Sequence, residues 1–459
     1  MIRLNGKRHI HLIGIGGIGM SAIALVLLRM GHRVTGSDIK SSRLIERIKS
    51  CGGKVSFGHD KKNIKGADVV VFSSSITAEN PELKAARDRK VLTLHRAEIL
   101  ALLMNGKKGI AITGAHGKTT TASLISHILS YTKLDPTVIL GGEVKSLNGN
   151  AAFGHGDYFV LEADESDGSF VHLRPLYCVI TNIDVEHLDY YRNIGEIMSS
   201  YMKFIEKIKA EGKLFACGDC DNIRRVLRAY EKEVVYFGLS KRLNVYPEDI
   251  KAHKDHAEFD VIYNGVNLGR AALNIPGTHN ISNAMAAFAV ALQVGLDFEA
   301  IKHAVENFRG AERRFQSRYC KDDISVIDDY AHHPAEIKAT ILAAKNWNPK
   351  RLVVLFQPHR YTRTKYLKSA FGRCFELADH LIITDIYAAS EEPIEGVSGE
   401  DICEEVKSQG HNNAIFLPKR DVKEYLLDYV RSGDMVLILG AGDVTTIAEE
   451  LVTQLSSRR

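Results

Sequence analysis

No apolar run in the 459-residue sequence is long enough to cross a bilayer. There is no dense Lys/Arg block either, and a net charge of +4 is small for this length. These absences argue against a membrane-inserted protein and against a dedicated nucleic-acid binder. The opening residues Met1 to Lys7 lack an apolar signal core and a cleavage site. The expected compartment is therefore the cytoplasm. The seven cysteines are scattered and odd in number, as free thiols in a reducing compartment would be. Cys217 and Cys220 have CxxC spacing but no second such pair, so they read as strand-end and helix-start thiols. No internal repeat or low-complexity segment is visible.

What is present is the composition of a globular protein, 45% hydrophobic and 25% charged. The length implies two or three domains. One stretch organises the chain: Thr113-Gly114-Ala115-His116-Gly117-Lys118-Thr119-Thr120-Thr121. An apolar run over 109–112 leads in, and an amphipathic, helix-like run from Ala122 to Leu129 leads out. Strand, glycine loop, Lys-Thr and helix together make a phosphate-binding loop. Glycines let consecutive backbone N–H groups turn toward one anion. The helix start adds a partial positive charge of roughly half a unit. Lys118 can reach terminal phosphates and the Thr119 hydroxyl can bind Mg²⁺.

Upstream, residues 9–104 alternate strand and helix. Strands are expected over 9–13, 33–37 and 68–73, and helices up to Met30 and over 97–104. Such alternation predicts a parallel sheet with ligands at its strand carboxyl ends. Gly14, Gly16 and Gly19 form G-x-G-x-x-G, with Asp38 further on. That pattern fits a diphosphate against a helix N-terminus, whether from a nicotinamide dinucleotide or a nucleotide sugar. The polar break 105–108 marks a first boundary.

Downstream, a strand over 157–161 delivers Glu162, Asp164, Glu165 and Asp167. Four carboxylates that close repel unless a cation or donors neutralise them. The next strand, 176–181, delivers Asn182 to Asp189, including His187. Thr119, Glu162 and His187 thus leave neighbouring strand ends in a pattern suited to Mg²⁺. Gly277-Thr278-His279-Asn280 opens another helix. Its side chains are either caps, with Thr278 or Asn280 at the first position, or amides facing a base edge. A charged link over 308–315 is the second boundary. The last segment is again α/β, with strands expected over 324–327, 352–356, 380–384 and 435–439. Arg360 and Arg363, three apart, can together hold a phosphate or carboxylate.

These motifs, in this order and spacing, resemble the Mur ligases over essentially the whole chain. The carriers are the segments 14–22, 113–121, 162–167, 182–189, His279-Asn280, Arg313-Arg314-Phe315, 328–334 and 359–364. The glycine-rich start together with His359-Arg360-Tyr361-Thr362-Arg363 resembles the alanine-adding branch of that family. The resemblance implies an α/β protein of three domains: Rossmann-like over 1–106, P-loop ATPase-like over 107–311 and Rossmann-like over 312–459. It implies UDP-N-acetylmuramate, L-alanine and ATP as substrates and Mg²⁺ as the metal. It places UDP-sugar on Gly16, Gly17, Ile18, Gly19, Met20, Ser21, Asp38 and Ser73. It places ATP on Gly114, Ala115, His116, Gly117, Lys118, Thr119 and Thr120, with adenine at His279, Asn280 and Asn283. Arg314 and Asp329 reach the nucleotide from the last domain, while Thr119, Glu162 and His187 serve the metal. Lys118, His187, His332 and Arg363 are the implied catalytic set, and Arg360 and Arg363 face the acyl and amino-acid end. Two departures are visible. Ala115 stands where relatives often carry threonine, which is mild if backbone amides cradle the phosphate. Lys203 lies near the place of a carbamylated lysine used by sister ligases, and is given no role. Two other readings stay open: a ligase that recycles a ready-made peptide onto the same sugar, and a nicotinamide-dependent oxidoreductase. A nucleotide-gated regulator without ligase activity is a third.

Overall fold

The structure is a computed structural model that describes residues 6–144, 147, 149–188, 190–389 and 391–457. The opening segment Met1 to Asn5 and Asp189, both used in the sequence reading, lie outside the described residues. Three sheets follow one another along the chain.

The first sheet holds β1 (His9–Ile13), β2 (Arg33–Asp38), β3 (Lys54–Phe57), β4 (Val69–Phe72) and β5 (Leu92–His95). Its order is β3-β2-β1-β4-β5, all parallel. Every residue of β1 is buried, as expected of a central strand covered on both faces. The outer strands β3 and β5 escaped the sequence reading. Both are four residues long and largely exposed or half-buried, so they carry no apolar run.

The second sheet has ten strands. They are β6 (Lys108–Thr113), β7 (Thr137–Val144), β8 (Gly149–Ala152), β9 (Tyr158–Glu162), β10 (Tyr177–Ile180), β11 (Lys213–Cys217), β12 (Val234–Phe237), β13 (Val245–Ala252), β14 (Ala257–Tyr263) and β15 (Val266–Leu273). The order is β15-β14-β13-β12-β11-β10-β6-β9-β7-β8. β6 sits between β9 and β10, so the phosphate loop leaves the sheet beside the two strands that carry the acidic and histidine-bearing ends. β13, β14 and β15 form an antiparallel arm that the sequence reading did not include. The helix after the loop runs Lys118–Tyr131, starting four residues earlier than the amphipathic run.

The third sheet comprises β16 (Gln316–Lys321), β17 (Ile324–Asp329), β18 (Arg351–Phe356), β19 (His380–Ile383), β20 (Ala414–Phe416) and β21 (Asp434–Leu439). Its order is β16-β17-β21-β18-β19-β20, parallel except for the edge strand β16. β16 was not foreseen. It carries polar and charged residues and only Tyr319 is buried.

One continuous apolar core runs through the first two sheets, joined by the helix Ile18–Arg29, which packs on β7 and β8. The third sheet has its own apolar layers, one on each face. Among the described residues, no helix is long and apolar enough to cross a membrane.

Candidate active site

The phosphate loop is shaped by its neighbours. Gly114 has φ +137°, and a Cβ there would sit 2.1 Å from the Thr181 hydroxyl and 3.0 Å from the Asn182 backbone. Gly117, at φ +80°, abuts Asn283, whose Oδ1 would lie 2.6 Å from a Cβ. Both positions need glycine for conformation and for space. Asn182 clamps the loop between them: its Oδ1 accepts from His116 N at 2.8 Å and its Nδ2 donates to His116 O at 2.9 Å.

Lys118 leaves the loop and is held by carboxylate and carbonyls. Its Nζ lies 2.7 Å from Glu165 Oε1 and 3.2 Å from Ala115 O. Burial works against its charge, but Glu165, Asp164 and Glu162 outweigh that and push its pKa up. Burial likewise pushes the Glu165 carboxyl up, against Lys118 and His187. Thr119 Oγ1 donates to both oxygens of Glu162, at 3.0 and 3.1 Å. His187, with φ +56°, brings Nε2 to 3.7 Å from Glu165 and 3.6 Å from Glu186. Thr119, Glu162 and His187 were expected as one set. They divide instead into Thr119 with Glu162, and His187 with Glu165 and Glu186. The latter three offer ligand atoms within 4.8 Å of one another.

Two cavities flank the loop. One, of about 340 Å³, is lined by Gly117, Thr120, His279, Asn280, Asn283 and Asp329, among others. Asn280 Nδ2 donates to Pro276 O at 2.6 Å, and Asn283 Nδ2 to Asn280 Oδ1 at 3.2 Å. Neither Thr278 nor Asn280 caps the helix Thr278–Val294, as the capping alternative required; Gly277 holds that position without a side-chain bond. Asp329 accepts from Phe315 N at 2.6 Å and Ala331 N at 2.7 Å. Burial, opposed by Arg314, lifts its pKa to about 6.

The other cavity, of about 260 Å³, draws walls from all three sheets' ends. Ile18 and Gly19 come from the first glycine loop, Lys118 and Glu162 from the second unit, and His332 and Arg363 from the third. His332 Nδ1 donates to Tyr330 O at 2.9 Å, which leaves Nε2 as an acceptor. Burial and Arg363 lower its pKa to about 4, so it is neutral near pH 7. Arg363 Nη2 lies 3.6 Å from Glu186, and its Nη1 donates to His359 Nδ1 at 3.0 Å. Glu186 has a pKa near 2, since Arg363, His116 and His187 outweigh its burial.

Several expected residues stand apart from this cavity. Met20 and Ser21 are buried, and Ser21 Oγ donates to Ile18 O at 2.9 Å while accepting from Asn150. Asp38 accepts from Gly16 N at 2.8 Å and so braces the first glycine loop from beneath. Ser73 sits in a turn, its carbonyl accepting from Ile76 N. It is Ser74, one residue on, that reaches His95 and Asp167. Arg360 and Arg363 share a small pocket beside Glu186, but Arg360 Nη1 points to Glu391 at 3.9 Å. Lys203 is exposed on the helix Ile194–Ile205.

Sequence reasoning missed Arg96 and Glu336, and the ion pairs that His116 makes. Arg96 crosses from the first unit to Asp164 at 3.0 Å and lies over Gly19. His116, expected at the ATP phosphates, lies 3.4 Å from Asp184 and 3.2 Å from Glu336. Burial opposes its charge, but these acids raise its pKa to about 10. Glu336 also lies 3.9 Å from Arg314 and 3.4 Å from His332. Its one sequence signal was local: His333 and Glu336 form the capping box of the helix Pro334–Lys345.

Comparison with known proteins agrees with this three-part layout. Residues 9–108 match the Mur ligase family catalytic domain, 112–291 the Mur ligase middle domain, and 313–442 the Mur ligase glutamate ligase domain. The chain is 46% identical over 458 residues to a UDP-N-acetylmuramate–L-alanine ligase of Pelotomaculum thermopropionicum, covering 99% of each. It is 45% identical to one of Syntrophotalea carbinolica, covering 98% of this chain and 99% of the relative. The crystal structure of UDP-N-acetylmuramate-alanine ligase from Thermotoga maritima superposes with a TM-score of 0.84 at 30% identity, covering 99% of this chain and all of that one. The chain belongs to the Mur ligase family.

Proposed function

We propose that this protein is an ATP-dependent, ADP-forming ligase that joins L-alanine to the lactyl carboxylate of UDP-N-acetylmuramate. It would act in the cytoplasm, in peptidoglycan precursor synthesis. The observation that carries the reading is the shared cavity at Gly19, Lys118 and Arg363, with a second cavity on the far side of the phosphate loop. A nucleotide sugar at the first glycine loop and ATP at the second can thus meet across Lys118. The relatives' names supply the identity of the sugar and the amino acid. The division of labour follows the boundaries 1–106, 107–311 and 312–459.

A carboxylate is a poor acyl donor at neutral pH. Transfer of the γ-phosphoryl group of ATP gives an acyl phosphate and ADP. The alanine amine attacks that carbonyl, and phosphate leaves from the tetrahedral intermediate. The phosphoryl donor and acceptor are both anions, so Lys118 offsets repulsion and the charge that spreads in the transition state. The neutral His332, with Nδ1 tied to Tyr330 O, keeps Nε2 open to take a proton from the amine. His187 is the second candidate for that proton. Arg363 orients the carboxylate of alanine and Arg360 supports it. His279, Asn280 and Asn283 line the adenine side, while Arg314 and Asp329 bring the last unit onto the nucleotide. Holding three substrates in line can contribute on the order of 7–11 kcal/mol in favourable cases.

The metal site has a donor set that suits Mg²⁺, a hard ion that prefers oxygen. Thr119 and Glu162 supply oxygens on one side of Lys118, and Glu165, Glu186 and His187 stand on the other. Glu186 Oε1 is buried with no hydrogen bond and faces Arg363 Nη2 at 3.6 Å, so a metal there would share that oxygen with the guanidinium. When bound, Mg²⁺ would supply the positive charge that these acids and the phosphates together require. The nicotinamide alternative needs the Asp38 carboxylate for a ribose, whereas it is bonded to Gly16 N and Ile39 N.

The test is ADP release by purified protein with UDP-N-acetylmuramate and each amino acid in turn. Turnover with L-alanine and none with a tripeptide acceptor supports the reading. Turnover with the peptide alone moves the protein to the recycling branch.

A further inference from the structure

We propose that the hairpin joining β13 to β14, remote from the phosphate loop, binds a first-row divalent cation through His253, His256 and Glu258. The donor atoms of these three side chains lie within 4.8 Å of one another. The turn holds them close, since His253 N donates to His256 O at 2.9 Å; the two imidazoles stack with centroids 4.3 Å apart, and a rotation of the exposed His253 ring turns both in-plane lone pairs to one ion. Asp255 Oδ1 lies 2.9 Å from His256 Nδ1. A carboxylate on one ring nitrogen fixes the tautomer and makes the other nitrogen a better ligand. Glu258 accepts from Arg270 Nε through Oε2 at 3.2 Å, which leaves its second oxygen for a metal.

The surrounding charge also favours a cation. Asp249, Asp255, Glu258 and Asp260 outnumber the cations that pair with them, Lys251 and Arg270. Lys254 does not crowd the donors, because its Nζ reaches away to lie 4.9 Å over the Trp347 ring of the third unit. Two imidazole nitrogens and one carboxylate oxygen suit Zn²⁺, Ni²⁺ or Cu²⁺ rather than the oxygen-seeking Mg²⁺.

The contact with Trp347 supplies the readout, since it is the single tryptophan in the chain. Lys254, the residue next to His253, touches that indole, so a bound Ni²⁺ ion will quench its emission. The full-length protein is titrated with Ni²⁺ alone under tryptophan-selective excitation. The expected result is saturable quenching at one equivalent, abolished in the double variant His253→Ala/His256→Ala. That variant keeps its Mg²⁺-dependent ADP release, which confirms its fold. Asp255→Asn weakens the Ni²⁺ affinity by about tenfold or more. Equal quenching in the double variant, or only linear, non-saturating quenching in the natural protein, overturns the site. An unchanged affinity in Asp255→Asn overturns the part given to Asp255.

Discussion

Replacing Lys118 by alanine should separate the phosphate loop's chemistry from the binding of the nucleotide sugar. Lys118 Nζ is 2.7 Å from Glu165, and their side chains are only 15% and 3% exposed. Deleting the ammonium therefore has two consequences. It removes the cation that faces the transferring phosphoryl group, and a lost preorganised donor of this kind costs about 10²–10³ in kcat. It also leaves Glu165 as a buried carboxylate without its partner, which costs about 3–5 kcal/mol of stability. The second effect can mimic the first by unfolding the protein. The double variant Lys118→Ala/Glu165→Gln removes the stranded charge, so its thermal midpoint should recover most of the way. Its ADP release should stay as low as that of the single variant. UDP-N-acetylmuramate binding, followed by calorimetry without ATP, should be retained in both. Recovery of activity together with stability would show that Lys118 serves only the fold. Loss of UDP-sugar binding in the stable double variant would refute the assignment of the two ligands to separate glycine loops.

Other consequences can be read from single contacts. Arg363→Ala should raise KM for L-alanine more than KM for ATP, and a selective rise for ATP would reverse its placement at the amino-acid end. His116 is held charged by Asp184 and Glu336, with its pKa raised from 6.5 to about 10. Its contribution to stability is fully present below pH 6.5 and is lost as the pH rises through 10. His116→Asn should accordingly flatten the fall in thermal midpoint over that alkaline range; an unchanged slope discounts the clamp between the second and third units. In the first unit, Glu82 is fully buried and accepts from His11, Ser37, Asn63 and Asp60 N at 2.6–3.2 Å. Burial opposes its charge but these bonds prevail, taking its pKa from 4.5 to about 2. That is about 3 kcal/mol, present above pH 4.5 and lost as the pH falls through 2. Glu82→Gln should lose much of it at pH 7 in urea unfolding and flatten the acid limb. A midpoint within error of the natural protein's would refute the hub.

The parts legible in the sequence were those written as apolar runs ending in glycine or acid. β1, β6, β10 and β18 are mostly or wholly buried strands, and their carboxyl ends carry loops that line the cavities. The antiparallel arm carried a signal that the reading passed over: Asn264-Gly265, both at positive φ, is the two-residue turn between β14 and β15, whereas β13, half exposed, offers no apolar run. Among site residues, Lys118 and Thr119 follow from local loop chemistry alone. Arg96 and Asp164 are 68 positions apart, and His116 and Glu336 are 220 apart. Nothing in either neighbourhood encodes the other. The offset from Ser73 to Ser74 has the same origin: a motif fixes the turn, but the turn's geometry decides which hydroxyl crosses to the next unit.

The cations of the cleft share one feature that bears on how anionic substrates enter. Lys118 is paired with Glu165, Arg96 with Asp164, Arg363 with Glu186 and Arg314 with Glu336. A phosphate or carboxylate arriving at any of them exchanges one ion pair for another, so its net gain is a difference and not a full Coulomb term. The displaced acids then need a partner of their own. Two of the four pairs cross between units, Arg96 with Asp164 and Arg363 with Glu186, and Glu336, the partner of Arg314 within the third unit, also reaches across to His116. Breaking them loosens the same contacts that bring the units together. Substrate binding and the contacts between units thus draw on the same side chains.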